Sequence, residues 1–225
     1  MPHKKMIFAH RGIWNKSAPE NSLAAFKNAV DACIGIELDV RITKDGVPVV
    51  FHDKTLKRMC GDSRRISAVS FKELQLLRLD NTNEYIPTLS QALNIIDGKQ
   101  PVLIETKAPK HFSLNHRLER SIMPIISDYN GEFLMQSFSK YSMRFLKRRF
   151  PRIKCGILSG HLYAEPHGFD FINYKAAQLT AEKISELNKM YQCVFGWSTD
   201  FMDLKTASEK LINLRLDAII TNIYS

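Results

Sequence analysis

Gly35-Ile36-Glu37-Leu38-Asp39-Val40-Arg41-Ile42-Thr43-Lys44-Asp45-Gly46-Val47-Pro48-Val49-Val50-Phe51-His52-Asp53 is the stretch whose reading decides the fold. Its first half is an apolar run interrupted by two carboxylates. Side chains alternate along a strand, so Glu37 and Asp39, two residues apart, leave the same face. Its second half, 47–51, is continuously apolar and ends in His52-Asp53. Such runs fit strands buried on both faces. Between them, 43–46 leaves no room for a helix, whereas a parallel crossover needs about a dozen residues or more. This part of the sheet is therefore expected to be irregular.

Working outward, further strands are expected at 6–10, 102–107, 133–138, 154–159, 170–174, 193–197 and 218–221. Helices are expected at 22–33, 114–129, 140–150, 180–191 and 203–213, with Thr180 and Asp203 as N-caps. Strand and helix alternating in this way point to parallel β/α units. The fold class read from this is α/β: a TIM (β/α)8 barrel, irregular around 35–52, where one strand exceeds the eight a closed barrel uses. Residues 53–101 break the rhythm. They hold capping-box spacings at Ser70 and Glu73 and at Thr88 and Gln91. They read as a small insertion on one barrel loop within a single domain, 1–225.

The 225 residues, 44% hydrophobic, suffice for one sizeable core and are too few for two comfortable ones. No run approaches the roughly 18–20 apolar residues of a membrane span. The apolar stretch after His3-Lys4-Lys5 is shorter than the roughly 7–15 residues of a secretory signal. A cytoplasmic protein without stable membrane insertion is expected. Cys33, Cys60, Cys155 and Cys193 show no zinc or redox spacing and are expected to be reduced, in or near the core. The net charge of +9 favours anionic partners. No nucleic-acid motif accompanies it, and Lys147-Arg148-Arg149 reads as a solvated helix end.

In such a barrel, functional groups sit at the C-terminal strand ends. The first strand ends in His10-Arg11-Gly12, the second carries Glu37 and Asp39, and the next run ends in His52. Glu105 and Lys107 close 102–107, and Gln136 lies in 133–138. Ionisable groups are costly beside a core unless paired or bound to metal. Glu37, Asp39 and Glu105 held together would repel one another, and a divalent cation removes that penalty. All-oxygen ligation selects a hard ion, Mg²⁺ or Ca²⁺. The alternative is pairing with Arg11, Arg41 or Lys107. His10 and His52 can move protons near neutral pH, as phosphodiester cleavage requires. Either alone would more often be a hydrogen-bonded structural histidine; together, beside a carboxylate trio, they read as an acid–base pair. Arg11 and Lys107 would offset charge on phosphoryl oxygens. His111, His116, His161 and His167 are given no role, although His161 or His167 could line the pocket mouth.

These residues resemble the glycerophosphodiester phosphodiesterases of the phosphatidylinositol-phospholipase-C-like barrel superfamily. The matching blocks are His10-Arg11-Gly12, Pro19-Glu20-Asn21-Ser22, Gly35 to Val40, Thr43 to Asp53, Ile86-Pro87-Thr88-Leu89, Ile104-Glu105-Thr106-Lys107, Gln136-Ser137-Phe138, Trp197 and Asp217 to Thr221. The resemblance implies metal-dependent hydrolysis of small-molecule glycerophosphodiesters, such as glycerophosphocholine or glycerophosphoethanolamine, to glycerol 3-phosphate and an alcohol. A cyclic intermediate formed by the glycerol 2-hydroxyl is implied. Glu37, Asp39 and Glu105 would hold the metal, His10 and His52 serve as acid and base, and Arg11 and Lys107 lie near the phosphate. Glu20 and Asn21 would brace the site, although Asn21 could equally be the N-cap of 22–33. Trp197 reads as a pocket wall or as core packing. Two departures from the family pattern, Thr221-Asn222 for Thr-Asp and Ser198-Thr199-Asp200 for Thr-x-Asn, are expected to touch none of the metal or acid–base residues. Alternatives from the same residues are a lipid-directed lysophospholipase D or sphingomyelinase-D-like enzyme, for which Leu76, Leu77 and Leu79 would supply an apolar surface, and a non-catalytic phosphate-ligand binding protein.

Overall fold

The computed structural model describes residues 5–108, 116–160 and 168–224. His111, His161 and His167 lie outside the described residues. Nine strands appear there, β1 (Met6–His10), β2 (Gly35–Ile42), β3 (Pro48–Val50), β4 (Val102–Thr106), β5 (Phe133–Ser137), β6 (Cys155–Ser159), β7 (Phe171–Lys175), β8 (Cys193–Met202) and β9 (Ala218–Ile223). The sheet order is β1-β9-β8-β7-β6-β5-β4-β2-β3, and a β1–β2 pairing closes it. Eight strands run parallel in a closed barrel. The ninth, β3, pairs antiparallel with β2, Val40 opposite Val50 and Ile42 opposite Pro48, and its Val49 bridges Thr88 on the other side. That hairpin resolves the expected irregularity: the short turn at 43–46 is long enough only for an antiparallel return.

The helices are α1 (Leu23–Asp31), α2 (Lys57–Cys60), α3 (Phe71–Leu74), α4 (Leu89–Ile96), α5 (Arg117–Ser127), α6 (Lys140–Arg149), α7 (Ala181–Leu187) and α8 (Leu204–Asn213). Thr180 and Asp203 cap α7 and α8, accepting from Lys183 N and Thr206 N. Both capping boxes form, at Ser70 with Glu73 and at Thr88 with Gln91. Residues 53–101 divide in two. The core below their first part, from Val49 and Phe51 to Ile86, is a separate cluster. Helix α4 instead contributes Leu89, Ala92, Leu93 and Ile96 to the main core and packs against α1. It is the crossover helix that returns the chain to β4.

Alternation along each strand sorts the core. Ala9, Ile36, Leu38, Val40, Ile104 and Ile219 face the helices. Phe8, Leu103, Leu134, Phe171, Phe195, Ala218 and Ile220 fill the barrel interior. The Phe171 and Phe195 rings stack at 4.4 Å in this plug. It shuts the lower barrel to water, so the polar residues one layer higher on the same strand faces form a floor open only at the C-terminal end.

Gly12 fixes the first of these ends. It sits at φ +82, and a Cβ there would lie 2.8 Å from the Ala25 carbonyl carbon and oxygen. Only glycine allows both the left-handed turn and the close approach to α1. Gly12→Ala is expected to cost about 2–4 kcal/mol through backbone strain plus overpacking. Urea unfolding measures this; wild-type stability would contradict the packing described.

All four cysteines are free. Cys155 is buried, but Cys33 is exposed, at φ 56 just past α1, and so departs from the expected core position. Lys147 is likewise more than a solvated helix end: its ammonium pairs with Asp170 at 2.5 Å. Among the described residues no helix is long and apolar enough to cross a membrane.

Candidate active site

The barrel register brings the predicted residues together. His10 pairs with Glu37 across β1 and β2. Asp39 pairs with Glu105, which pairs with Gln136, across β2, β4 and β5. The β3 hairpin returns the chain so that Phe51 N donates to the Asp39 carbonyl at 2.9 Å, which sets His52 beside the carboxylates. His52, Glu105 and Lys107 line one cavity of about 700 Å³.

Glu37, Asp39 and Glu105 are buried, and each offers an oxygen within 4.8 Å of the others. Lys107 Nζ lies 2.8 Å from Asp39 and 2.5 Å from Glu105. Arg11 Nε lies 3.4 Å from Asp39, and its Nη1 donates to Glu20 at 2.8 Å. The pairing of carboxylates with Arg11 and Lys107 thus occurs for Asp39 and Glu105. Arg41 takes no part: its Nε and Nη2 both donate to the His52 carbonyl, at 2.8 and 2.5 Å. Among the described residues, Glu37 accepts only the Arg11 backbone N–H, at 3.2 Å, and has no side-chain ion pair. Arg11 and Asn21 hold positive φ, 62 and 59, local strain of the kind found at functional sites.

Burial, then repulsion from Asp39 and Glu105, raises the Glu37 carboxyl well above its usual range. Burial pushes Glu105 up to about 7, against Lys107 and with Asp39 adding to the rise. Burial would raise Asp39 too, but Lys107 and Arg11 outweigh it and hold that carboxyl below its ordinary value. Two carboxyls that resist ionisation beside one held ionised is a site short of positive charge. The donor set is all oxygen. These residues therefore fit a hard divalent cation.

The sign of the pH dependence follows. Protons and a cation compete for Glu37 and Glu105, so affinity for the ion rises with pH through about 7. A carboxyl whose pKa is raised on folding contributes stability that is complete below its unfolded value and lost as pH rises through its folded one. Metal-free protein thus loses stability over that window and the ion restores it. The rise in Tm on adding Mg²⁺ or Ca²⁺ is expected to be larger at pH 8 than at pH 6; an equal or reversed rise in thermal melts would contradict this.

Each histidine ring is anchored at Nδ1. His52 Nδ1 meets Asp53 Oδ1 at 2.7 Å. His10 Nδ1 meets Asn222 Oδ1 at 2.9 Å, and Asn222 Nδ2 donates to the Thr199 carbonyl at 2.6 Å, which fixes the amide orientation. Both partners at Nδ1 are acceptors, so Nδ1 carries the hydrogen and Nε2 is the basic nitrogen. Burial, then Arg11, pushes His10 down to about 4. Burial also lowers His52, opposed by Asp39. Without substrate, both imidazoles thus favour the neutral form.

Asn222 corrects one expectation. The Thr221-Asn222 departure does touch an acid–base candidate, because a strand-end residue of β9 neighbours the end of β1 once the barrel closes. Ser198 and Asp200 bond to each other instead, Ser198 Oγ donating at 2.6 Å. Asn21 is also settled. Ser22, not Asn21, caps α1 by accepting from Ala25 N. Asn21 Nδ2 donates to Asp39 Oδ2 at 2.9 Å, and its Oδ1 accepts from Asp39 N at 3.3 Å. Glu20 lies between Arg11 and Arg58, and Arg58 also holds Asp53. Gln136 accepts from Asn173 Nδ2 at 2.8 Å. Trp197 caps the interior plug, partly buried. His116 stacks on Phe145 at 4.1 Å.

Sequence reading missed Arg58, Asp53 and Asn173. Asp53 adjoins His52 directly, a usable signal. Asn173 is a polar residue at an interior-facing strand position, Phe171-Ile172-Asn173, another one. Arg58 carried none, because its reach depends on how the insertion folds back.

A (β/α)8 barrel whose strand ends gather three carboxylates, two imidazoles and two cations fits a phosphate-ester-handling enzyme. Residues 10–221 match the glycerophosphoryl diester phosphodiesterase family, and the chain belongs to it; its class is phosphoric diester hydrolase. A glycerophosphodiester phosphodiesterase of Caldanaerobacter subterraneus subsp. tengcongensis is 30% identical over 240 residues, 97% of this chain and 94% of that one. One of Bacillus altitudinis is 25% identical over 235 residues, 96% and 94% of the two chains. In fold, the chain resembles an Oleispira antarctica phosphodiesterase solved with the product sn-glycerol-3-phosphate, with TM-score 0.85 and 23% identity over 96% of this chain and 92% of that one.

Proposed function

We propose that this chain hydrolyses glycerophosphodiesters to sn-glycerol 3-phosphate and an alcohol, with a divalent cation held by Glu37, Asp39 and Glu105 and with His10 and His52 as acid–base pair. One observation carries the reading. Two imidazoles, each tied at Nδ1 with Nε2 left basic, flank a buried carboxylate trio. When bound, the cation would supply Lewis-acid stabilisation of charge on the phosphoryl oxygens.

Arg11 and Lys107 add fixed positive charge beside the diester. One imidazole takes the proton of the glycerol 2-hydroxyl as that oxygen bonds to phosphorus. The bond from phosphorus to the alcohol oxygen breaks, and the other imidazole, protonated in the complex with the anionic diester, gives its proton to that oxygen. Water then opens the cyclic phosphodiester with the roles exchanged, which restores both histidines. Asn222 and Asp53 keep the two rings in the tautomer this exchange needs. Asn21 holds Asp39, and Glu20 holds Arg11.

Leu79 is buried and Leu77 packs against the satellite core, so of the three leucines only Leu76, 79% exposed, remains for a lipid-facing surface. The test is a panel of glycerophosphodiesters and an acylated lysolipid, assayed with divalent ions for release of glycerol 3-phosphate. Release from the water-soluble diesters is expected. Turnover of the lysolipid alone, or of nothing under any ion, would contradict the reading.

A further inference from the structure

The cavity over His52, Glu105 and Lys107 is larger than a phosphate and a glycerol fill, and its walls are strongly basic on one side. Arg41, Lys54 and Arg65 all line it. Their surroundings differ from those of cations nearby. Arg58 is paired with Glu20 and Asp53, Arg64 with Asp62 and Glu73, and Lys107 with Asp39 and Glu105. Among the described residues no carboxylate lies within 4.0 Å of Arg41, Lys54 or Arg65.

Arg41 is held at its guanidinium, and the backbone sets where the exposed Lys54 and Arg65 start from. Arg41 follows Glu37 and Asp39 on the same face of β2, and the His52 carbonyl fixes its guanidinium with two hydrogen bonds. Lys54 and Arg65 sit side by side on a short antiparallel bridge. Thr55 pairs with Arg65, Ile66 N donates to the Lys54 carbonyl at 3.2 Å, and Leu56 N to the Arg64 carbonyl at 3.0 Å. The acids facing the same cavity are engaged elsewhere: Glu105 holds Lys107, and Glu119, buried, faces His116 Nδ1 at 3.8 Å. Cations clustered in a cleft without carboxylate partners attract and hold anions, and guanidinium groups match carboxylate and phosphate geometry.

We propose that the alcohol half of the preferred substrate carries its own negative charge, a phosphate ester or a carboxylate, recognised by Arg41, Lys54 and Arg65. The proposal rests on the reading of the same site as a glycerophosphodiesterase. It disfavours choline and ethanolamine diesters, whose cationic heads would meet this wall.

The test compares three diesters of sn-glycerol 3-phosphate, with choline, with glycerol, and with glycerol phosphate as the alcohol. At low salt, kcat/KM is expected to rise in that order, by at least about tenfold from the first to the last. In a Lys54→Glu, Arg65→Glu double variant, the ratio of the anionic to the neutral alcohol should fall about tenfold, chiefly through KM. A choline diester turned over as well as the anionic one, or a ratio the variant does not move, would overturn the proposal. Should no diester be turned over, the phosphodiesterase reading fails instead. Calorimetric binding of the three diesters then decides: tightest binding of the anionic one supports the proposal, and equal affinities overturn it.

Discussion

His10→Ala and His52→Ala are each expected to lower kcat by roughly 10²–10⁴-fold, the usual loss on removing a positioned acid or base. Neither ring belongs to the interior plug, whose residues are apolar and lie a layer below. Each ring's side-chain anchor is a single bond at Nδ1, to Asn222 or to Asp53, so removing it leaves few groups unsatisfied. The variants should therefore keep the cooperative thermal unfolding of the parent. The loss should lie in kcat, because the phosphate is held by charges on other residues. Near-normal turnover in either folded variant would refute that histidine's role. Because both act in each half of the reaction, the double variant should be far less impaired than the product of the single losses.

Removing the cation is expected to abolish activity, and adding Mg²⁺ or Ca²⁺ to restore it. Glu37→Gln separates this from a general structural effect. Glu37 is buried, has no side-chain ion pair among the described residues, and is pushed toward its protonated form by burial and by Asp39 and Glu105. Neutralising it relieves repulsion in the metal-free protein, so Tm without metal should hold or rise. Loss of a ligand should lower activity at least about 100-fold, beyond the effect of disturbing a group behind the ligands. Asp39→Asn should behave differently. Asp39 balances Lys107 and Arg11 and is held by Asn21, so its loss leaves buried cations uncompensated and should lower Tm even without metal. Unchanged activity in excess chelator, or identical metal-free Tm changes for the two variants, would contradict the assignment.

Much of this was legible in the chain. Buried parallel strands are apolar on both faces, so polar residues within them stand out, and the strand ends gave His10, Glu37, Asp39, Glu105 and Gln136. The two-residue spacing of Glu37 and Asp39 is enough to place them on one face. The hairpin at 43–46 was foreseen as an irregularity but not as an antiparallel strand, because turn length limits the connection without fixing the partner. What stayed hidden depends on closure. Asn222 reaches His10 only because the last strand pairs with the first, a contact between residues 212 apart in sequence. Arg58 reaches Glu20 and Asp53 only through the fold of the insertion, and α4 is set apart from that insertion by the packing of its apolar face on α1.

The most direct test is a crystal structure grown with Mn²⁺ and sn-glycerol 3-phosphate, with the ion located by anomalous scattering. The account predicts one ion at about 2.0–2.6 Å from oxygens of Glu37, Asp39 and Glu105, with the phosphate between His10 and His52. An ion bound elsewhere with the trio still paired only to Lys107 and Arg11, or a phosphate seated away from both imidazoles, would contradict it.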